Sequence, residues 1–472
     1  MRHIFQNKLS LLLLLFIGIS SCKLQHEIAN TDTHLPEQYS QMQGLASDSV
    51  RLPWRSFFKD PKLQSLIDSA LVNNQDVLVA IKNQEQLDLA YRQAKLGLLP
   101  TLNATVGANR QWPSKNSLNG SLSQTFIGKS YMDDYSVSLG LSWEADIWGK
   151  YKLQKVAARA DYFAQSENLN ALKTKMVVQI AQAYYSLQSL DAQMQIAQQN
   201  IQLADSTVQM TEKQYRSGQV TSLAVEQATA QRQTAEALLP IIVQNIKVQE
   251  NALSILVGHY PEKIVRNPDW LSSFPATDSL TIGVPAHLLS RRPDVKAAEY
   301  AVLKANAQTG VAKVAMYPNI SLSPSLGLNT YQFSNWFEIP GSVAKTLAIN
   351  LTQPIFQKKS LQTTYKTAVL EQEKQVVLYK QVLMTAVREV SDALAQQEGN
   401  NGRLLTLEKK KETLALAMKH SFMLYQRGMA TYLEVITAQS NKLQNDLDII
   451  STQLDALNAS TNLYRSLGGY FE

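Results

Sequence analysis

The chain has 472 residues, 45% of them hydrophobic and only 18% charged. That length exceeds the usual single domain, and the composition excludes a disordered, charge-rich chain. A net charge of +6 without a lysine or arginine stripe gives no nucleic-acid footprint.

The N-terminus decides the compartment. Arg2 and Lys8 precede an apolar run, Leu9 to Ile19, too short to be a permanent bilayer anchor. It ends in Ile19-Ser20-Ser21-Cys22, which resembles the bacterial lipobox: small residues, then the cysteine that is acylated in the mature protein. Residues 1–21 then read as a lipoprotein signal peptide and residues 22–53 as a lipidated leader. Cys22 is the only cysteine, so no disulfide forms within the chain. Lys23, rather than Asp, follows it, which by resemblance to enterobacterial lipoproteins fits export to the outer membrane.

A first structural repeat is expected over residues 54–257. Trp54 to Leu99 reads as an entry segment and helix, with Pro61 placed for a first turn and Pro100 as the stop. A strand pair spans about 101–147. Leu102, Ala104, Val106 and Ala108 alternate with polar residues in its first strand. A Ser/Asn/Gly-rich loop, Pro113 to Ser130, separates this from the run YSVSLGLSWEADI, Tyr135 to Ile147. There the odd positions are mostly apolar and the even ones small or polar, the pattern of a strand with one greasy face.

A helical hairpin, about 150–257, follows. Met176, Ile180, Ala183, Leu187, Leu190, Met194, Ala197, Ile201, Ala204 and Val208 alternate steps of four and three, a sustained heptad. At about 1.5 Å per residue, helix from Leu153 to Tyr215 would run ~90–100 Å. The chain turns at Tyr215-Arg216-Ser217-Gly218, and Pro240 predicts a kink in the returning helix. Residues 258–284 form a proline-bearing linker.

Residues 285–468 repeat the first half, with a strand pair at about 319–356, a helical hairpin at about 359–466 and a tail at 469–472. Asp76-Val77, Ala94-Lys95 and Pro100 recur as Asp294-Val295, Ala312-Lys313 and Pro318, and Tyr215, Gly218 and Thr221 as Tyr425, Gly428 and Thr431. Glu398-Gly399-Asn400-Asn401-Gly402 interrupts the second long helix, where a kink or loosened turn is expected.

Four strands cannot close a membrane sheet, because bacterial barrels start at about eight. Either they make a small soluble sheet or several chains pool their strands. The alternating faces, long loops at one end, and Trp143 and Trp148 near strand ends favour the pooled barrel.

At this point the chain resembles a known family, the TolC-like outer membrane factors, in their NodT/OprM lipoprotein branch. The residues that carry the likeness are Trp54-Arg-Ser-Phe-Phe-Lys-Asp-Pro61, Asn74-Gln-Asp-Val77, Leu288-Leu-Ser-Arg-Arg-Pro-Asp-Val295 with Ala298-Glu299, Tyr425-Gln-Arg-Gly428 and Tyr464-Arg-Ser-Leu-Gly-Gly469. The resemblance implies a mainly α protein with a transmembrane β part. It implies a homotrimer whose pooled strands make a twelve-stranded outer-membrane barrel, continuous with a periplasmic α-helical tunnel. It further implies a channel for tripartite efflux or type I secretion, with a periplasmic adaptor and an inner-membrane pump, RND type above all, as partners.

Chemistry of other kinds is not expected. The histidines show no ligand spacing, and there is no G-x-S-x-G, H-E-x-x-H or phosphate-binding glycine loop. The chain reads as a non-enzyme with no metal and no cofactor beyond lipid on Cys22. Arg291-Arg292-Pro293-Asp294 could suggest an anion site, but it reads better as a helix start, with Asp294 complementing the dipole.

The functional candidates are the two Tyr-x-x-Gly turns, Tyr215 to Gly218 and Tyr425 to Gly428. The resemblance places them at the periplasmic tip, where adaptor hairpins dock and the pore closes. In that family acidic residues stand six and nine positions after the second glycine. Glu434 matches the first, Thr437 replaces the second, and the first-repeat counterpart Ala224 is uncharged. Three converging Glu434 carboxylates would make a cation-binding choke; the plain alternative is a solvated helical glutamate. Two rival functions remain, a lipid-anchored periplasmic coiled-coil adaptor and an envelope scaffold without a pore.

Overall fold

The computed structural model describes residues 53–267 and 291–469. Cys22, the leader, most of the linker and the last three residues lie outside the described residues. In chain order the elements are α1 (Trp54–Phe57), α2 (Pro61–Asn73), α3 (Gln75–Lys95), β1 (Thr101–Gln111), α4 (Leu118–Leu122), β2 (Met132–Glu144), α5 (Lys150–Arg216), α6 (Ser222–Glu236) and α7 (Leu238–Val257). There follow α8 (Pro293–Val314), β3 (Asn319–Thr330), β4 (Val343–Thr352), α9 (Ser360–Gln426) and α10 (Tyr432–Ser466).

Helix starts follow local chemistry. Asp60 accepts the Lys62 N–H at 2.8 Å, with Pro61 in the first turn of α2. Asn74 likewise accepts the N–H groups of Asp76 and Val77 at the start of α3.

The chain forms two compact units, one of residues 87–162 and 300–377, the other of 53–86, 163–267, 291–299 and 378–469. Each sequence repeat contributes to both, so the repeats are units of sequence and not of space.

The first unit holds one antiparallel sheet in the order β1-β2-β3-β4. Its register sets Val106 against Val137, Val137 against Leu328, and Leu322 against both Trp143 and Ile349. Apolar side chains therefore share one face, and Ser138, Gly140, Ser325 and Thr346 the other. Leu102, Val106, Leu139, Leu326, Leu347, Ile349 and Leu351 are all more than half exposed, although apolar. The second β strand begins and ends three residues earlier than its alternation suggests. Beyond Glu144 the chain serves the next helix instead: Asp146 accepts the N–H groups of Tyr151 and Lys152. The Trp143 and Trp148 indoles donate to the carbonyls of Leu98 (2.9 Å) and Pro318 (2.7 Å).

The second unit is helical, with a core of Phe58, Leu63, Ile67, Met176, Ile180, Tyr184, Leu187, Leu253 and Tyr464. The heptad seam is buried at Met176, Ile180, Ala183, Leu187, Ala197, Ala204 and Val208. Tyr184 donates to Asp60 at 2.7 Å, and burial, with Asp60 adding to it, pushes the phenol well above its ordinary pKa. Two sequence expectations resolve differently. Pro240 cannot donate to Glu236, and the helix breaks there, between α6 and α7 at Ala237. The Gly399–Gly402 stretch shows no loosened turn, because α9 runs helical from Ser360 to Gln426. Both glycines are exposed with open space around them, so they lose only propensity, about 1 kcal/mol each, which a long packed helix absorbs. Among the described residues no helix is long and apolar enough to cross a membrane.

Candidate functional site at the hairpin turns

Both long helices end by the same device. Gly218 and Gly428 take left-handed φ values of 74° and 70°. The Gly218 N–H bonds to Tyr215 O, and the Gln219 N–H reaches Gln214 O at 2.9 Å. The Gly428 N–H bonds to Tyr425 O, and the Met429 N–H reaches Leu424 O at 2.9 Å. These are paired Schellman closures, which glycine permits because it carries no Cβ.

The restart differs between repeats. Thr431 precedes α10, and its N–H donates to Glu434 Oε2 at 2.7 Å, the carboxylate half of a capping box. Thr221 precedes α6 in the same way, but its third residue is Ala224, which has no carboxylate to return. Glu434 is exposed and sits in the positive first turn of its helix. Thr437 is also exposed, with its hydroxyl donating back to Leu433 O at 2.7 Å. In the single chain, Glu434 thus has a capping task.

The tyrosines part company. Tyr215 is 49% exposed, whereas Tyr425 is 2% exposed. Tyr425 packs with Met418, Val435, Leu203 and Met210, and its hydroxyl lies 2.9 Å from that of Thr211. Gln214 donates to Tyr425 O at 3.0 Å, and Gln439 donates to Thr207 at 2.7 Å. The resemblance offers both tyrosines alike as members of candidate adaptor-contact turns. Tyr425 instead lies inside, joining the second hairpin to α5. Burial raises its phenol above the ordinary value. Sequence spacing offered no sign of Thr211, Gln214 or Gln439 as partners, since each joins elements more than 200 residues apart.

The Arg-Arg-Pro-Asp element is a helix start, as its composition indicates, and also a tether. Arg292 is 4% exposed and donates to Asp294, to Glu389 at 2.7 Å and to Ser466 O at 2.9 Å. Burial opposes the charge of Asp294, but the bonded Arg292 outweighs it and holds the carboxyl below its usual range. Asn74 does the equivalent work in the first repeat, donating to Leu256 O at 2.9 Å. Each repeat thus fastens the start of the helix that leads into its strand pair to the end of its last helix. These bonds account for the buried guanidinium without a bound anion. Among the described residues no cluster of His, Cys, Asp or Glu could hold a metal.

Comparison with known proteins places this architecture. Residues 66–259 and 284–469 match the family described as Outer membrane efflux protein. The chain is 28% identical over 460 residues to the cation efflux system protein CusC of Escherichia coli K12, covering 96% of this chain and 97% of CusC. It is 30% identical over 422 residues to the solvent efflux pump outer membrane protein SrpC of Pseudomonas putida, covering 88% of this chain and 87% of SrpC. The crystal structure of the open-state MtrE outer membrane channel of Neisseria gonorrhoeae superposes with a TM-score of 0.80 at 27% identity, over 92% of this chain and 96% of that one. With two strand pairs and two long helical hairpins in the arrangement those channels share, the chain belongs to the outer membrane efflux protein family.

Proposed function

We propose that this outer-membrane efflux channel works as a passive exit duct, assembled from three copies and fed by an inner-membrane pump, RND type above all, through a periplasmic adaptor. The observation that supports it most is the sheet. Its apolar face is exposed, its other face is small and polar, and β1 and β4 are its two open edges. In lipid such edges must be paired, and three copies in ring order give a closed wall with a watery, hydroxyl-lined lumen. Relatives named for cation and solvent efflux support the tripartite setting. Lipid on Cys22 would add an anchor at the same membrane. Catalysis has no part in this reading, and the energy comes from the pump.

The closed state rests on packing at the turns. Adaptor binding at the exposed side of the Gly218 and Gly428 turns, Tyr215 included, shifts the population toward an open state. In the trimer the exposed Glu434 carboxylates converge as a cation-attracting ring while each still caps its helix. The experiment is single-channel recording in planar bilayers with the purified mature protein, paired with heat-sensitive migration on a denaturing gel. Conductance from a heat-dissociable trimer is expected, and Glu434→Ala raises it. A protein that stays monomeric and passes no current overturns the duct, and unchanged conductance in Glu434→Ala removes that residue from the gate.

A further inference from the structure

The junction between β4 and α9 departs from its first-repeat counterpart in a way the channel reading does not use. Ahead of α5, Gly149 holds the left-handed conformation at φ 78°. The equivalent position ahead of α9 is Lys359, at φ 62°, and Lys358 beside it lies at φ 49°. They are the only side-chain-bearing residues with positive φ among those described. Glycine would fill both places without strain, so the lysines are held against a backbone preference. Neither has a carboxylate partner among the described residues, whereas Lys150 in the first repeat is paired with Glu144. Just ahead of them Ile355 is 94% exposed and Phe356 is 80% exposed.

The run is continuous with the sheet. Leu347, Ile349 and Leu351 form the apolar face of β4, roughly 70% exposed each, and the exposed Ile355 and Phe356 follow just past its end, where the chain leads into α9. Lys345 bounds the same face at the other end. At ~3.3 Å per residue and ~40° of tilt, β4 from Val343 to Thr352 rises ~23 Å, close to the ~25 Å apolar band of a barrel, so Ile355 and Phe356 fall at the edge of that band. We propose that Ile355, Phe356, Lys358 and Lys359 form an anionic-phospholipid site at the periplasmic leaflet of the outer membrane. The apolar pair enters the acyl region, and the two ammonium groups meet headgroup phosphate. This inference rests on the membrane-spanning reading of the sheet.

The test uses the full mature protein in phosphatidylcholine vesicles, with tryptophan quenching by brominated phosphatidylglycerol compared with brominated phosphatidylcholine. Wild type is expected to favour the anionic lipid, by at most about fivefold per lysine. Lys358→Gln/Lys359→Gln should fall to near parity at unchanged conductance. Lys359→Gly, which relieves the strained backbone, should fold at least as well and lose about half of the logarithmic preference. No preference in wild type, or full preference in either variant, overturns the site while measured conductance leaves the channel standing. A wild type without conductance overturns the channel reading and this site with it.

Discussion

The two hairpin turns share a tyrosine, a glycine and a threonine at matched positions, and the structure uses only some of them alike. Gly218 and Gly428 close their helices by the same bonds at nearly the same φ. Tyr215 and Tyr425, three residues earlier, are respectively half-exposed and buried. Backbone closure is a local matter and repeats with the motif. Side-chain burial depends on what the hairpin packs against, and only the second turn packs its tyrosine onto α5 within the chain. A duplicated motif therefore yields one internal fastening, at Tyr425, and one half-exposed side chain, at Tyr215.

The largest expected contrast breaks this comparison directly. Tyr425→Ala should cost about 3–5 kcal/mol by removing a fully buried aromatic, and Tyr215→Ala less than ~0.5 kcal/mol. Thermal melts of the reconstituted protein would read both. Comparable losses would mean that the two tyrosines are equivalent after all.

Next come the glycines. Nothing lies within 4 Å of a Cβ added at Gly218 or Gly428. Ala at either place thus pays only the left-handed penalty, about 1–2 kcal/mol. Denaturant midpoints should move equally for the two, and unequal shifts would show that the closures differ.

A smaller effect concerns pH. The folded pKa of Tyr425 is raised by burial, so its neutral form is favoured in the folded protein. Its contribution is complete below the unfolded tyrosine value near 10 and declines as pH rises through the folded value. Tyr425→Phe should flatten the alkaline loss of stability above about pH 10, and Tyr215→Phe should leave it unchanged.

The smallest expected effect tests the restart. Ala224→Glu would give the first turn the carboxylate that Glu434 supplies to the second. It should add about 0.5–1 kcal/mol, and Glu434→Ala should remove as much. Stability scans would show whether the two caps are interchangeable.

Much of this fold was legible along the chain because the responsible forces are local or periodic. Alternation at Leu102, Val106, Val137 and Leu139 set which strand face is apolar, and steps of three and four from Met176 to Val208 set the helix seam. Recurrence of Pro100 as Pro318 and of Gly218 as Gly428 set the two-repeat plan. Four strands, too few to close a membrane sheet, left a small soluble sheet and a pooled barrel as the two readings. Tertiary structure alone decided the rest. It joined Asn74 to Leu256, sent Arg292 to Glu389 and Ser466, and buried Tyr425 against Thr211. Pattern in a sequence records which side of an element avoids water. It does not record which distant element covers that side, because that choice is made only when packing brings remote residues together.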